Sequence, residues 1–242
     1  MTGSRRLCGL AALALLACLG ATSNATADSR EVIGHSVEGR PIVLFDSFAT
    51  DAALKVLVVG DIHGDETAGM RIARRLIAGP WPQRTELMVV PTINPDGVAA
   101  GSRGNAHGVD LNRNFPYRWR PLGGGEYSGT GPLSEPEARA AQRLILREKP
   151  EVTIWFHQPF GLVDKPKGNI FAASRLAELI GLPLLRLRGP YPGSASRWQN
   201  HRFPTRTAFV VELPRSVSGT LVGRGTAAVR TLAAELASPA ID

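Results

Sequence analysis

Short apolar runs rich in β-branched residues recur along this chain, and between and after them lie stretches whose apolar positions return at helical spacing. Residues 41–45, 53–59, 86–91, 152–156 and 208–211 read as strands, the last two as central ones. Residues 67–76 form an amphipathic helical pattern. Ser134-Glu-Pro-Glu137 opens a second helix running to residue 148, with proline where a first turn tolerates it, and residues 220–236 make a third. Strands alternating with helices from residue 36 onward predict an α/β fold: a single domain whose central mixed, mostly parallel sheet is flanked by helices. No linker or repeat interrupts the alternation. Residues 93–131, however, are rich in Gly, Asn, Arg and Pro with little periodicity, and a loop of that length inside a compact domain is usually functional.

The N-terminus carries a different pattern. Arg5 and Arg6 precede an apolar run over residues 7–19 that is too short to span a bilayer as a stable helix, and Ala25-Thr-Ala27 supplies small residues for cleavage. Residues 1–27 are therefore expected to be a signal peptide and residues 28–242 the mature domain, exported to the periplasm, the cell wall or the medium. Leu15-Leu-Ala-Cys18 loosely resembles a lipoprotein cleavage site, but the apolar run continues past Cys18 and the Ala-x-Ala site is the better one. Both cysteines, Cys8 and Cys18, lie in this leader, so the mature domain has no disulfide and must rely on its core. A chain of 242 residues with 43% hydrophobic content can bury one such core. The formal charge of +7 falls to +5 when Arg5 and Arg6 are removed. That balance suits an anionic surface such as cell wall. The arginines are scattered and aromatics make up only 6%, which argues for a solvated basic surface rather than a nucleic-acid groove. No nucleic-acid partner and no stable membrane insertion after cleavage are expected, and a monomer is.

Three predicted strands end on groups able to hold a metal. His63 and Glu66 follow the strand closing Val58-Val-Gly60, His157 follows residues 152–156, and Glu212 ends the run Phe209-Val-Val211. In open α/β sheets, ligand sites lie beyond the carboxyl ends of the strands. A catalytic zinc takes three protein ligands and leaves a fourth position for water, a count that two His and one Glu fit. A further carboxylate can then move a proton, which leaves Glu212 as general base. With five histidines in the chain, one His-x-x-Glu motif is weak by itself. His107 and His201 have no such strand-end partner and read as surface or packing residues.

The long loop adds Asn94-Pro-Asp-Gly97, Arg103 and Gly108-Val-Asp-Leu-Asn-Arg-Asn-Phe-Pro116. Together with His63-Gly-Asp-Glu66, Tyr127-Ser-Gly-Thr-Gly-Pro-Leu-Ser-Glu-Pro-Glu137, His157 and Val211-Glu-Leu213, the sequence resembles the M14 zinc metallocarboxypeptidases over nearly the whole mature chain and in order. The resemblance implies that fold, one zinc ion per chain, His63, Glu66 and His157 as its ligands, and Glu212 as the group that promotes attack by water. It also implies that Arg103 stabilises the developing oxyanion, that Asn112 and Arg113 clamp a substrate carboxylate, and that Asp110 orients a zinc-bound histidine. Tyr191 stands near the place of the family's mobile tyrosine. Without the resemblance, Arg103 reads as a surface arginine, Asp110 as a turn residue and Trp198 as either a core aromatic or a substrate wall.

The pattern departs from the digestive members at Asp65, where they carry an arginine, which puts their subsite for extended peptides in doubt. Residues 28–40 leave no room for a folded pro-domain. The compact length is similar to a small bacterial branch resembling murein peptide amidases, which cut the link between D-glutamate and diaminopimelate in cell-wall stem peptides. The expectation is therefore an exported hydrolase of an amide bond beside a free carboxylate, in a peptidoglycan stem peptide or at a peptide C-terminus. Two alternatives stand beside it: a zinc deacylase of N-acyl amino acids resembling aspartoacylase, and a non-catalytic wall-binding protein. Export argues against the first, and the complete ligand set with Glu212 against the second.

Overall fold

The structure, a computed structural model, describes residues 29–47 and 51–238. The expected leader, with Cys8 and Cys18, lies outside the described residues. Eight strands, β1 (Ser29–His35), β2 (Pro41–Asp46), β3 (Leu54–Val59), β4 (Thr85–Val90), β5 (Val152–His157), β6 (Phe160–Asp164), β7 (Leu184–Leu185) and β8 (Thr207–Pro214), form one sheet in the order β1-β2-β4-β3-β5-β8-β6-β7. β3 runs parallel to β4 and β5, β5 to β8, and β6 to β7, whereas β1 with β2, β2 with β4 and β6 with β8 are antiparallel. The α/β domain with a mixed, mostly parallel sheet is thus what the chain adopts.

The central strands are apolar on both faces because each face carries its own core, and successive side chains point to opposite sides. Val56 and Val58 of β3, Leu87 and Val89 of β4, Ile154 and Phe156 of β5, and Phe209 and Val211 of β8 join one cluster. Its helical cover is α1 (Ala68–Ile77), α4 (Phe171–Ile180) and α6 (Gly219–Ala237). Leu57, Val59, Met88, Val90, Trp155 and Val210 point the other way, onto α3 (Pro136–Glu148), α5 (Ala195–Arg202) and the side chains of Leu111 and Phe115. Trp198 of α5 belongs to this second core and packs against Phe115 with ring centroids 5.5 Å apart. It is a core residue, not a wall of the site.

Several elements had no reading in the sequence. β1 pairs at the sheet edge with half-exposed residues, β6 is a five-residue strand containing Gly161, and α5 is mostly polar. The segment expected as loop, residues 93–131, contains one short helix, α2 (Pro95–Ala100), and two single 3-10 turns. Asn94 starts α2 by accepting from the Gly97 N–H at 2.9 Å, Pro95 fits its first turn, and Gly101 ends it in the left-handed region. Among the described residues, no helix is long and apolar enough to cross a membrane.

Candidate active site

β3, β5 and β8 lie side by side and point their carboxyl ends to the same sheet edge, with His157 directly opposite Glu212 in the β5–β8 register. His63 and Glu66 occupy the turn after β3, closed by a hydrogen bond from the Glu66 N–H to the His63 carbonyl at 2.8 Å. This turn packs hard on the start of α2. A Cβ on Gly64 would come within 1.9 Å of the Gly97 carbonyl carbon, so only glycine lets the two backbones approach.

His63, Glu66 and His157 are all buried, and their ligand atoms lie within 4.8 Å of one another. His63 Nδ1 is 3.0 Å from Glu66 Oε1 and 3.2 Å from His157 Nδ1, and His157 Nδ1 is 2.9 Å from Glu66 Oε2. Two imidazole nitrogens and a carboxylate at these separations can share one metal ion. Four ligands at zinc's preferred ~2.1 Å would stand roughly 3.4 Å apart, so the donor set fits a tetrahedral zinc with small adjustments. Burial alone would raise Glu66, but hydrogen bonds from His157 and His63 hold it below the usual carboxylate range. Burial opposes charge on His63 as well, yet the Asp110 carboxylate and Glu66 raise it to about 9. His157, chiefly through burial, is lowered. Without a cation, the site thus draws a proton onto His63 to balance its acids.

Asp110 is the hub behind this cluster. One oxygen faces His63 Nε2 at 3.0 Å and accepts from the Asn112 N–H at 2.9 Å, while the other takes Arg103 Nε at 3.1 Å and Nη2 at 2.9 Å. Its carboxyl stays ionised because the neighbouring His63 and Arg103 charges outweigh burial, the largest single influence. Arg103 also donates Nη1 to Glu66 Oε1 at 3.1 Å. These bonds use three of the five N–H groups of a guanidinium, leaving two for a ligand in the cleft that Arg103 lines.

Glu212 lines the same cleft on the strand beside His157. It is buried, and its Oε2 has no hydrogen-bond partner. Burial first, and the Glu66 charge second, push its carboxyl up to about 7. A carboxylate that changes protonation near neutrality is suited to taking and returning a proton.

The cleft, about 330 Å³ in volume, brings together His63, Glu66, Arg103, Asn112, Arg113, His157, Tyr191 and Glu212, which are all the expected site residues except Asp110 behind His63. Asn112 is fixed by the Ala195 N–H donating to its Oδ1 at 3.0 Å, and its Nδ2 lies 3.4 Å from His157 Nε2. Arg113 is buried, donates Nη1 to the Asn112 carbonyl at 3.0 Å, and meets Glu126 at 2.5 Å through Nη2. Gly193, with φ +68°, would put a Cβ 2.0 Å from the Arg113 carbonyl oxygen, so the loop carrying Tyr191 can lie directly on the Arg113 backbone. Tyr191 itself adopts φ +36° and places its ring 5.4 Å from the Arg113 guanidinium.

The cleft residues that escaped the sequence reading include Glu126, Gln158, Asp164 and Arg197. Gln158 directly follows His157, so its position was legible. Its N–H donates to Glu66 Oε2, its side chain accepts from the Ala68 N–H at the start of α1 and donates to the Pro214 carbonyl at the end of β8. Asp164 and Arg197 are placed by β6 and α5, which carried no sequence signal. His107 and His201 stay outside the cleft, His107 against Glu135 at 2.8 Å and His201 stacked on Tyr117.

The zinc carboxypeptidase family matches residues 19–163. The chain belongs to this family. It is therefore a metallopeptidase, a hydrolase of peptide bonds from a family of zinc enzymes, as the resemblance implied. It is 33% identical to murein peptide amidase A of Escherichia coli K12 over 183 residues, covering 69% of this chain and 75% of that protein. The corresponding amidase of Vibrio campbellii is 32% identical over 203 residues, covering 75% and 77%. Among solved structures, the murein-tripeptide amidase of Escherichia coli O157 superposes with a TM-score of 0.69 and 27% identity, covering 88% of this chain and 94% of that one.

Proposed function

We propose that this protein is an exported zinc peptide amidase that hydrolyses the bond between γ-D-glutamate and diaminopimelate in cell-wall stem peptides. The likeness to murein peptide amidases supports the substrate, and the leader pattern of residues 1–27 supports export. The observation that carries the reading is the convergence of His63, Glu66 and His157 opposite a buried carboxyl, Glu212, whose Oε2 is unpartnered.

His63, Glu66 and His157 would hold one zinc ion, with Asp110 orienting His63 through Nε2. A zinc ion held there would supply Lewis acidity and acidify water. Glu212 accepts a proton from the attacking water and delivers it to the leaving nitrogen. Arg103 offers its two free N–H groups to the oxyanion that develops on the carbonyl oxygen. Asn112 and Arg113 hold the carboxylate adjacent to the scissile bond, for which a substrate competes with Glu126. Tyr191 closes one wall of that clamp.

The test is mass spectrometry of zinc-loaded protein incubated with L-alanyl-γ-D-glutamyl-diaminopimelate and, in parallel, with ordinary peptides bearing free C-termini. Release of diaminopimelate from the first alone is expected. Removal of C-terminal residues from ordinary peptides would make it a general carboxypeptidase instead, and inertness toward both would overturn the reading.

A further inference from the structure

Besides Arg113 the cleft is lined by Leu187, Val210, Ser194 and Ser196, and by two charged side chains of opposite sign: Asp164 at the end of β6 and Arg197 in the first turn of α5. Each is held in place by the protein backbone. Asp164 Oδ1 accepts from the Leu187 N–H at 2.8 Å. Arg197 Nη1 donates to the Gly189 and Pro190 carbonyls at 3.0 and 2.5 Å, and its guanidinium lies over the Tyr191 ring, 4.7 Å from the centroid. The two are near enough to feel each other's charge, yet among the described residues they form no ion pair. The contrast is Arg113 in the same cleft, whose charge is met by Glu126 at 2.5 Å. The second oxygen of Asp164 and the Nε and Nη2 of Arg197 have no protein partner among the described residues. Partial burial disfavours both charges, raising Asp164 and lowering Arg197. Half-buried charges kept apart in this way leave their interaction energy to a ligand.

We propose that Asp164 and Arg197 form the subsite for the far end of the leaving residue, Asp164 receiving an ammonium and Arg197 a carboxylate carried by that same side chain. This rests on the wall-peptide reading and specifies it. The distal carbon of diaminopimelate bears both groups, and the methylenes before it would lie along Leu187 and Val210. Lysine is the same side chain without the carboxylate, and 2-aminopimelate is the same side chain without the ammonium. The pair therefore selects against both.

The experiment measures kcat/KM of the zinc-loaded full protein on three tripeptides, L-alanyl-γ-D-glutamyl joined to meso-diaminopimelate, L-lysine or L-2-aminopimelate. A hydrogen bond to a charged group is worth about 10-fold to 100-fold, so the wild type is expected to favour diaminopimelate over each of the others by about that factor. Asp164→Asn should erase the preference over 2-aminopimelate and keep the preference over lysine. Arg197→Gln should do the reverse. Equal wild-type cleavage of all three peptides would overturn the subsite while leaving the wall-peptide reading standing. Cleavage of none of them beside active trimming of ordinary peptides would overturn that reading itself. Equal losses on every substrate in both variants would also refute the pair. The wild-type ranking decides the matter even where a variant fails to fold.

Discussion

Glu212 joins stability and function in one side chain, and replacing it with glutamine separates the two. In the folded, metal-free protein its carboxyl holds a proton up to about pH 7, against 4.5 for an ordinary glutamate. Raising the pH from 4.5 to 7 ionises the unfolded chain first, so this group makes the folded state progressively less stable over that window. At about 1.4 kcal/mol per unit of pKa difference, the cost is under ~1 kcal/mol at pH 5, about 2 at pH 6 and about 3 at pH 8, an order-of-magnitude figure for a buried group. Glutamine is always neutral and shares the shape. Glu212→Gln should therefore match the wild type near pH 4.5 and exceed it by about 3 kcal/mol at pH 8, read from urea unfolding of chelated protein at a series of pH values. Titrating groups remote from Glu212 cancel in the difference, and its charged neighbours Glu66 and His63 keep their charges across this window in the metal-free protein. The same variant should retain zinc and lose at least about 100-fold in kcat. A stability difference that is flat with pH, or a kcat near the wild-type value, would refute the reasoning.

Asp110→Asn removes the negative charge behind His63 and should weaken zinc binding about 10-fold to 100-fold, measured by competition with a chromophoric chelator. Arg113→Ala should raise KM at least about 10-fold on substrates with a free carboxylate, because the buried fork that pairs both oxygens is lost. Glu126→Gln should lower KM by a few-fold, roughly the worth of an exposed ion pair that substrate must displace. Gly64→Ala should cost more than about 2 kcal/mol in urea unfolding, since its Cβ would overlap the Gly97 carbonyl carbon.

Much of this was legible in the sequence wherever local pattern and tertiary placement agree. β5 and β8 are buried on both faces, and a strand of that kind announces itself as an unbroken apolar run. His157 and Glu212 were readable for the same reason: each ends such a run, and in a parallel sheet all such ends share one edge. Arg103, Asn112 and Arg113 came only through the family resemblance, because an irregular loop has no periodicity from which to infer its course. Asp164 and Arg197 were not legible at all. β6 gains its place from antiparallel pairing with β8, and α5 from burying Trp198 and Ala195 against the sheet, so long-range contacts rather than propensity position both charges. Asp110 behind a histidine also came through the resemblance, whereas its bonds to Arg103 and to the Asn112 N–H were hidden, since they follow from loop geometry alone.

The measurement that bears most directly on the zinc-hydrolase account is a titration of zinc into chelated protein, following bound metal and diaminopimelate release from the tripeptide together. Activity rising linearly and breaking at one zinc per chain, with neither signal in His157→Ala, is the predicted result. Cleavage that persists without zinc, or survives loss of His157, would contradict it.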